Sequence, residues 1–284
     1  MTQVKKANPD YTLTELCTLF QLKQSTYYYQ ESPRPMDNQT IQLLVNIKAI
    51  FAESDSTYGK RRIRKELQTS GFTIGLYRTA SLMKKAGLKA KTPKKKHYYG
   101  DTGKVHRIAP NLLKRQFEQS TPNTHWVGDI TYIRAQQGWS YLAAVLDLSS
   151  KQIVGYALSK KPNAQLAKDA LSDALRKQNP NTRKLLFHSD QGVQYSAKSF
   201  VRQLDKLNVT QSMSRRGNCW DNSVMERFFR SLKSERLNYL SFINHDAVVS
   251  VVESYIHFYN YKRLHSVIGY ITPAEKMQIL KKQA

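Results

Sequence analysis

Beyond Trp126 the hydrophobic pattern of this chain changes period, and that change restricts its fold more than any other feature. Trp126 to Ile133, Trp139 to Leu148 and Gln152 to Leu158 each read as a strand with only short turns between them, so the spacing predicts an antiparallel meander. Helical periodicity takes over from Asn163 to Gln178, and Lys184 to His188 returns to a strand. A helix is expected from Ala197 to Leu207, a short fifth strand from Val209 to Met213, and long helices over Asn222 to Leu240 and His245 to Tyr261. Three strands in a row, then helices alternating with strands, specify an α/β class: a mixed five-stranded sheet with flanking helices.

The part before this core is helical. Tyr11 to Phe20 has apolar residues at helical spacing behind a Thr cap, and after Gln21-Leu22-Lys23 a second helix begins at Gln24-Ser25-Thr26. Two readings stand side by side here: a helix-turn-helix whose hydroxyls and tyrosines meet DNA, and a plain helical hairpin with its tyrosines in the core. Ser32-Pro33-Arg34-Pro35 closes the unit. A second all-α unit follows, with helices over Ile41 to Phe51, from Tyr58-Gly59 through Leu67, and over Leu76 to Ala86. Lys60, Arg61, Arg62, Arg64 and Lys65 occupy five of six positions with no acid among them, which favours phosphate contact over a merely solvated face. The stretch around Lys94, Lys95 and Lys96 has no periodicity and reads as a basic linker, suited to DNA backbone and groove contacts, with a mere tether as the alternative. The expected division is 1–33, a helix-turn-helix; 36–90, a second helical DNA-binding unit; 91–117, a basic linker; 118–240, a catalytic core; and 241–284, a helical extension.

Charge indicates the partner. The 284 residues hold 45 Lys and Arg against 21 Asp and Glu, a net +24, and a field of that sign gathers polyanions. Residues 1–117 carry 22 of these cations and 8 acids, the denser share. No apolar run reaches 18 residues and the N-terminus lacks a secretory pattern, so double-stranded DNA is expected as partner and a membrane is not. Cys17 and Cys219 lie far apart outside any zinc-ligand spacing, as two reduced thiols of a cytoplasmic protein would.

Against this positive background three acids stand out. Asp129 sits inside the apolar run Trp126-Val127-Gly128-Asp129-Ile130, where a carboxylate is costly unless it is paired or binds a cation. Asp190 follows the fourth strand in His188-Ser189-Asp190-Gln191-Gly192, and Glu226 lies within a helix. First and fourth strands are expected to be neighbours with that helix beside them, so the three converge. Carboxylates are hard ligands suited to divalent cations, and phosphodiester attack uses two of them.

These motifs resemble the retroviral-integrase-like Asp-Asp-Glu transposases of bacterial insertion sequences, and more narrowly the second-reading-frame product of the IS-three family. Thirty-five residues separate Asp190 from Glu226. Trp-x-x-Asp-x-Thr-Tyr surrounds Asp129, His-Ser-Asp-x-Gly surrounds Asp190, Asp-Asn-x-x-x-Glu-x-Phe-Phe surrounds Glu226, and Lys233 stands seven residues on. The tail Tyr259-Asn260-Tyr261-Lys262-Arg263-Leu264-His265 and the Tyr58-Gly59 helix pair fit the same family. The resemblance implies a ribonuclease H-like core, with Asp129, Asp190 and Glu226 as catalytic metal ligands. It implies Mg²⁺, with Mn²⁺ able to substitute, and strand cleavage and transfer at terminal inverted repeats into target DNA. It also implies a homo-oligomer on DNA and an upstream reading frame that joins by frameshifting. The chain opens on Met1 without leucine-zipper heptads, so the upstream part is expected to be absent from it, an upstream-frame product being a possible fusion partner.

Lys233 at i+7 and Arg230 at i+4 share the helix face of Glu226 and are expected to hold DNA phosphates, an intrahelical Glu226–Arg230 pair being the rival for Arg230. Asp147 reads as a structural strand-end residue, Asp221 and Asn222 as helix caps, Trp220 as packing, and Arg263 and His265 as docking groups for the C-terminal helix. Two other functions are compatible with the composition: a non-catalytic DNA-binding regulator, which has no need of three converging acids, and a ribonuclease H-like nuclease, which has no need of a long basic arm.

Overall fold

The computed structural model describes residues 2–28, 36–92, 108–215 and 218–283, and the chain divides into two compact units, Met1–Val45 and Asn46–Ala284. The first contains α1 (Thr2–Ala7), α2 (Leu13–Leu19) and α3 (Gln24–Tyr28). A capping box starts α2: the Thr12 hydroxyl accepts from the Glu15 amide, and the Glu15 carboxylate accepts from the Thr12 amide at 2.7 Å. Leu16 and Cys17 are buried, whereas Tyr27 is half-buried and Tyr28 exposed, so these tyrosines do not form the core that the hairpin reading requires. The basic residues Lys94, Lys95 and Lys96 fall outside the described residues.

Helix α4 (Asn38–Glu53) runs across the division between the units. In the second unit α5 (Lys60–Thr69) buries Ile63 and Leu67, and α6 (Leu76–Lys85) buries Leu82 and Met83. Gly71 turns the chain between them at φ +88°, where a side chain would be strained.

The sheet follows. Strands β1 (His125–Ala135), β2 (Gly138–Asp147) and β3 (Ile153–Ser159) form the expected meander, with Asp129 opposite Ala144. Helix α7 (Ala164–Gln178), capped by the Asn163 side chain, leads to β4 (Leu186–Ser189), which pairs parallel to β1. The short α8 (Val193–Ser196) and α9 (Lys198–Lys206) lead to β5 (Thr210–Met213), parallel to β4, giving the order β3-β2-β1-β4-β5. This is the ribonuclease H-like arrangement. Ala143, Val145, Phe187 and Val154 share a core with Leu166, Ala170, Leu171 and Ala174 of α7 and with Phe200 and Leu204 of α9. Gly155 sets the closeness of that packing, since a Cβ there would overlap the backbone of Ala170 and Ala174.

Helices α10 (Ser223–Glu235), α11 (His245–Tyr261) and α12 (Pro273–Gln283) complete the unit. The single helix expected over Asn222 to Leu240 is instead broken. A 3-10 turn at Cys219–Asn222 precedes α10, the backbone turns off at Arg236, and a second 3-10 turn spans Leu237–Tyr239. The break has a tertiary cause. Two hydrogen bonds from Arg263 and one from Tyr255 hold the Glu235 carboxylate, while Arg236 reaches Asp55 at 3.4 Å.

Candidate active site

The parallel pairing of β1 and β4 sets Trp126 beside Phe187 and Val127 beside His188. Asp129 lies two residues further along β1, and Asp190 is the residue directly after the end of β4, whose chain runs about 4.8 Å from β1 where the two pair. Gly128 allows this close approach, because a Cβ there would collide with the Phe187 ring. Asp129 is half-buried, and one oxygen accepts the Ile130 amide at 2.7 Å. Asp190 also turns back on its own loop, accepting the Gly192 amide at 3.0 Å. A Cβ at Gly192 would stand 2.9 Å from that same oxygen, which accounts for glycine there.

Glu226 reaches this pair through α10. The Asn222 side chain donates to the carbonyl of Gly128 at 3.2 Å, pinning the start of α10 beside Asp129, and Glu226 lies one turn further along, exposed. Asn222 is therefore a cross-strand tether and not the expected side-chain cap, since α10 has no side-chain cap hydrogen bond at that residue. Asp221 is not a cap either. It is fully buried, bonded to Arg115 at 2.6 Å, to Arg215 at 3.1 Å and to Asn111 at 2.9 Å, and the Arg215 hydrogen bonds hold its carboxyl well below the usual carboxylate range. Trp220, expected to pack, is 68% exposed, because the 3-10 turn that buries Asp221 directs its neighbour outward.

Charge behaves differently at Asp129. Burial pushes its pKa up, the negative field of Asp190 adds to this, and Glu226 adds a smaller share, while Lys233 counteracts them. The three acids therefore lie within each other's fields, and half-buried Lys233 lies there too. Among the described residues no three His, Cys, Asp or Glu side chains form a ready chelating group. The donor set nonetheless suits a hard divalent cation: one carboxylate on a strand, one at the end of its parallel neighbour, and an exposed glutamate with three rotatable bonds. Arg230 is exposed beside Glu226 on α10.

His188 is buried and fully engaged. Its ring contacts Ser212 at 2.9 Å, Ser214 at 3.2 Å and the carbonyl of Asp221 at 3.0 Å, and burial lowers its pKa to about 4. It is a neutral brace between β4, β5 and the turn before α10. Asp147 has the structural role read from sequence, accepting from Ser149, Ser150 and the Asn123 amide.

The basic helix α5 divides its residues. Lys60 and Arg61 are exposed, and Arg64 and Lys65 half-buried. Arg62 departs from the expectation of a phosphate contact: it lies over the Tyr58 ring at 5.3 Å from the centroid and 3.9 Å from Glu235. It faces inward because Tyr58 is bound on both sides, accepting the Leu264 amide at 2.8 Å and donating to the Lys262 carbonyl at 3.0 Å. Glu235, not singled out from sequence, is the hub of this junction. Burial pushes its pKa up, but two hydrogen bonds from Arg263 and one from Tyr255 override that and hold it below its ordinary value.

Comparison with known proteins identifies the family. The integrase core domain family matches residues 119–219, a second integrase core domain family matches 207–273, and the HTH-like domain family matches 38–96. The chain is 38% identical over 264 residues to the insertion element IS600 uncharacterized 31 kDa protein of Shigella sonnei, covering 91% of this chain and 96% of that one. It is 34% identical over 278 residues to the transposase InsF for insertion sequence IS3A of Escherichia coli K12, covering 96% of both. Among solved structures, the HTLV-2 integrase catalytic core domain in complex with magnesium aligns at a TM-score of 0.44 and 14% identity, over 55% of this chain and 97% of that one.

Proposed function

Because this chain belongs to the IS-three family of insertion-sequence transposases, and is an Asp-Asp-Glu transposase with an HTH-like DNA-binding domain, we propose that Asp129, Asp190 and Glu226 are its catalytic metal ligands. The observation that supports this reading is that Asp129 in β1 and Asp190, directly after the end of the parallel neighbour β4, act on each other electrostatically, with the residue before α10 bonded to Gly128 and Glu226 acting on Asp129 as well. Asp129 and Asp190 supply rigid oxygens, and Glu226 closes the set by side-chain rotation. When bound, a pair of Mg²⁺ ions, or Mn²⁺ in their place, supplies Lewis acidity to the phosphoryl oxygens and activates the attacking hydroxyl. Lys233 holds a phosphate beside the carboxylates, and Arg230 extends the same face. The Asn222 tether and the neutral His188 brace keep α10 and β4 in place while DNA enters.

The substrate is double-stranded DNA: the terminal inverted repeats, cleaved and transferred by their 3′ ends into target DNA. Lys60, Arg61, Arg64 and Lys65 on α5 contact backbone phosphates, as do Lys94, Lys95 and Lys96 of the linker. The protein works as a homo-oligomer on DNA, with an upstream-frame product as possible fusion partner, in the bacterial cytoplasm. No described helix is long and apolar enough to cross a membrane. The domain division 1–33, 36–90, 91–117, 118–240 and 241–284 assigns binding to the helical units and chemistry to the core. The test is transfer of a labelled 3′-OH oligonucleotide into plasmid, with Mg²⁺ and with EDTA. Joined product with Mg²⁺ alone is expected, and product with EDTA would overturn the metal reading.

A further inference from the structure

On a different side of α10 from Glu226, Arg230 and Lys233 lies a cavity of about 410 Å³, within the size range of small-ligand sites. Arg62, Lys151, Arg227, Arg263 and His265 line it together with a single acid, Glu118, and the first turn of α10. Two of these cations are already engaged, since Arg263 is bonded to Glu235 and Arg62 lies 3.9 Å from it. The other two make no ion pair within 4.0 Å among the described residues, although Asp147 and Glu118 act on Lys151 through space. Lys151 is buried, and its ammonium donates to the carbonyls of Phe117 at 2.8 Å and Leu148 at 2.6 Å, which uses two of its three donors. Arg227 is exposed and has no hydrogen-bond or ion-pair partner among the described residues.

The positive field at this point is registered by a neighbour. The pKa of His265 is lowered to about 4, by burial first and then by the fields of Arg263, Arg62, Lys151 and Arg227. Four cations thus act on one imidazole, against Glu118, the shared carboxylate of Glu235 and, on Lys151, the field of Asp147. Such convergence is unfavourable without an anion, and a guanidinium fork beside an ammonium matches the oxygens of a phosphate.

We propose that this cavity is a binding pocket for a phosphate group, carried by the DNA backbone or by a free phosphate, and separate from the carboxylate cluster. Arg227 grips two oxygens from the open side, and Lys151 supplies its third donor from the wall. The pocket places a second anchor for DNA across α10 from the reacting strand. It draws on DNA as the substrate class but does not depend on the metal-ligand assignment, and its test is run in EDTA so that the two can fail separately.

The experiment uses the full chain, with Arg227→Ala and Arg227→Glu. Binding of a duplex oligonucleotide is followed by anisotropy across a salt series, and binding of inorganic phosphate by calorimetry. A backbone phosphate in the pocket predicts a roughly 10-fold weaker duplex complex for Arg227→Ala, weaker still for Arg227→Glu. It also predicts a salt slope lower by about 0.9, the value for one lost phosphate contact. A free phosphate predicts saturable one-to-one binding to the parent that Arg227→Glu abolishes, with the duplex slope intact. If Arg227→Glu matches the parent for both ligands, there is no phosphate pocket. Because Arg227 is an exposed helix residue, these variants are expected to fold.

Discussion

Helix α10 carries two glutamates nine residues apart that live in opposite circumstances. Glu235 is buried and held by Arg263 and Tyr255, with its pKa drawn down. Glu226 is exposed and contributes to the field that drives the pKa of Asp129 up. Asp221, at the foot of the same helix, sides with Glu235: it is buried, and two arginines clamp it. A carboxylate that holds a fold together is supplied with protein donors. Carboxylates set to hold a cation repel each other until the cation arrives.

The largest effect that tests this contrast is catalytic. Asp129→Asn, Asp190→Asn and Glu226→Gln should each lower strand transfer by at least about three orders of magnitude, equivalent to ~4 kcal/mol of activation free energy. Duplex binding in EDTA should stay near that of the parent. Near-parental joining by any one of the three would remove that residue from the ligand set.

These two kinds of carboxylate were not equally legible. The catalytic candidates sit in local motifs with fixed spacing, and the periodicities around them placed all five strands and the α11 boundaries at His245 and Tyr261. Glu235 carries no local signal, because its partners lie 20 and 28 residues away and the Tyr58 junction spans 206 residues. Asp221 before a helix looks like a cap, and only the fold brings Arg115, 106 residues distant, to claim it. Arg62 was hidden among four other cations for the same reason: sequence gives charge density, while tertiary packing decides which cation turns inward.

Next in size is the structural half of the contrast. Removing one member of a buried ion pair strands the other, and Glu235→Ala should cost about 3–5 kcal/mol by leaving Arg263 uncompensated. Denaturant unfolding would measure it. Glu235→Gln keeps the shape and isolates the charge. Since the folded carboxyl is depressed, its contribution is complete above the unfolded value near ~4.3 and is lost as pH falls through the folded value. The parent should therefore lose stability faster than Glu235→Gln on acidification below that value. Parallel acid profiles for the two proteins would show that Glu235 is not an ionic hub.

Lys233 tests whether the face of Glu226 is a DNA surface. Lys233→Ala should weaken engagement of the transposon end by ~1.5–3 kcal/mol, the range of one charge-assisted hydrogen bond. Lys233→Arg should retain much of the activity, and Lys233→Glu should fall below alanine through repulsion from the phosphate. End binding at fixed salt separates the three. Equal binding by the alanine and glutamate variants and the parent would make Lys233 an ordinary helix residue.

The smallest effect sharpens the comparison most directly, because it concerns the fold and not turnover. Like charges a few ångströms apart near water repel by about 1 kcal/mol. Asp129→Asn removes one charge from a cluster of three without changing its shape, and it keeps an oxygen able to accept the Ile130 amide. In EDTA the variant should therefore melt slightly higher than the parent, by ~2–4 °C for a unit of this size. Adding Mn²⁺ should reverse the order: a ligand that binds only the folded state raises the melting temperature of the parent and barely moves that of the variant. Glu235→Gln, tested the same way, should melt lower in EDTA and keep the Mn²⁺ increment, because its carboxylate serves the fold and not the cation. Should Asp129→Asn melt below the parent in EDTA while keeping the full Mn²⁺ increment, Asp129 would belong with Glu235 and Asp221 among the carboxylates that hold the structure together.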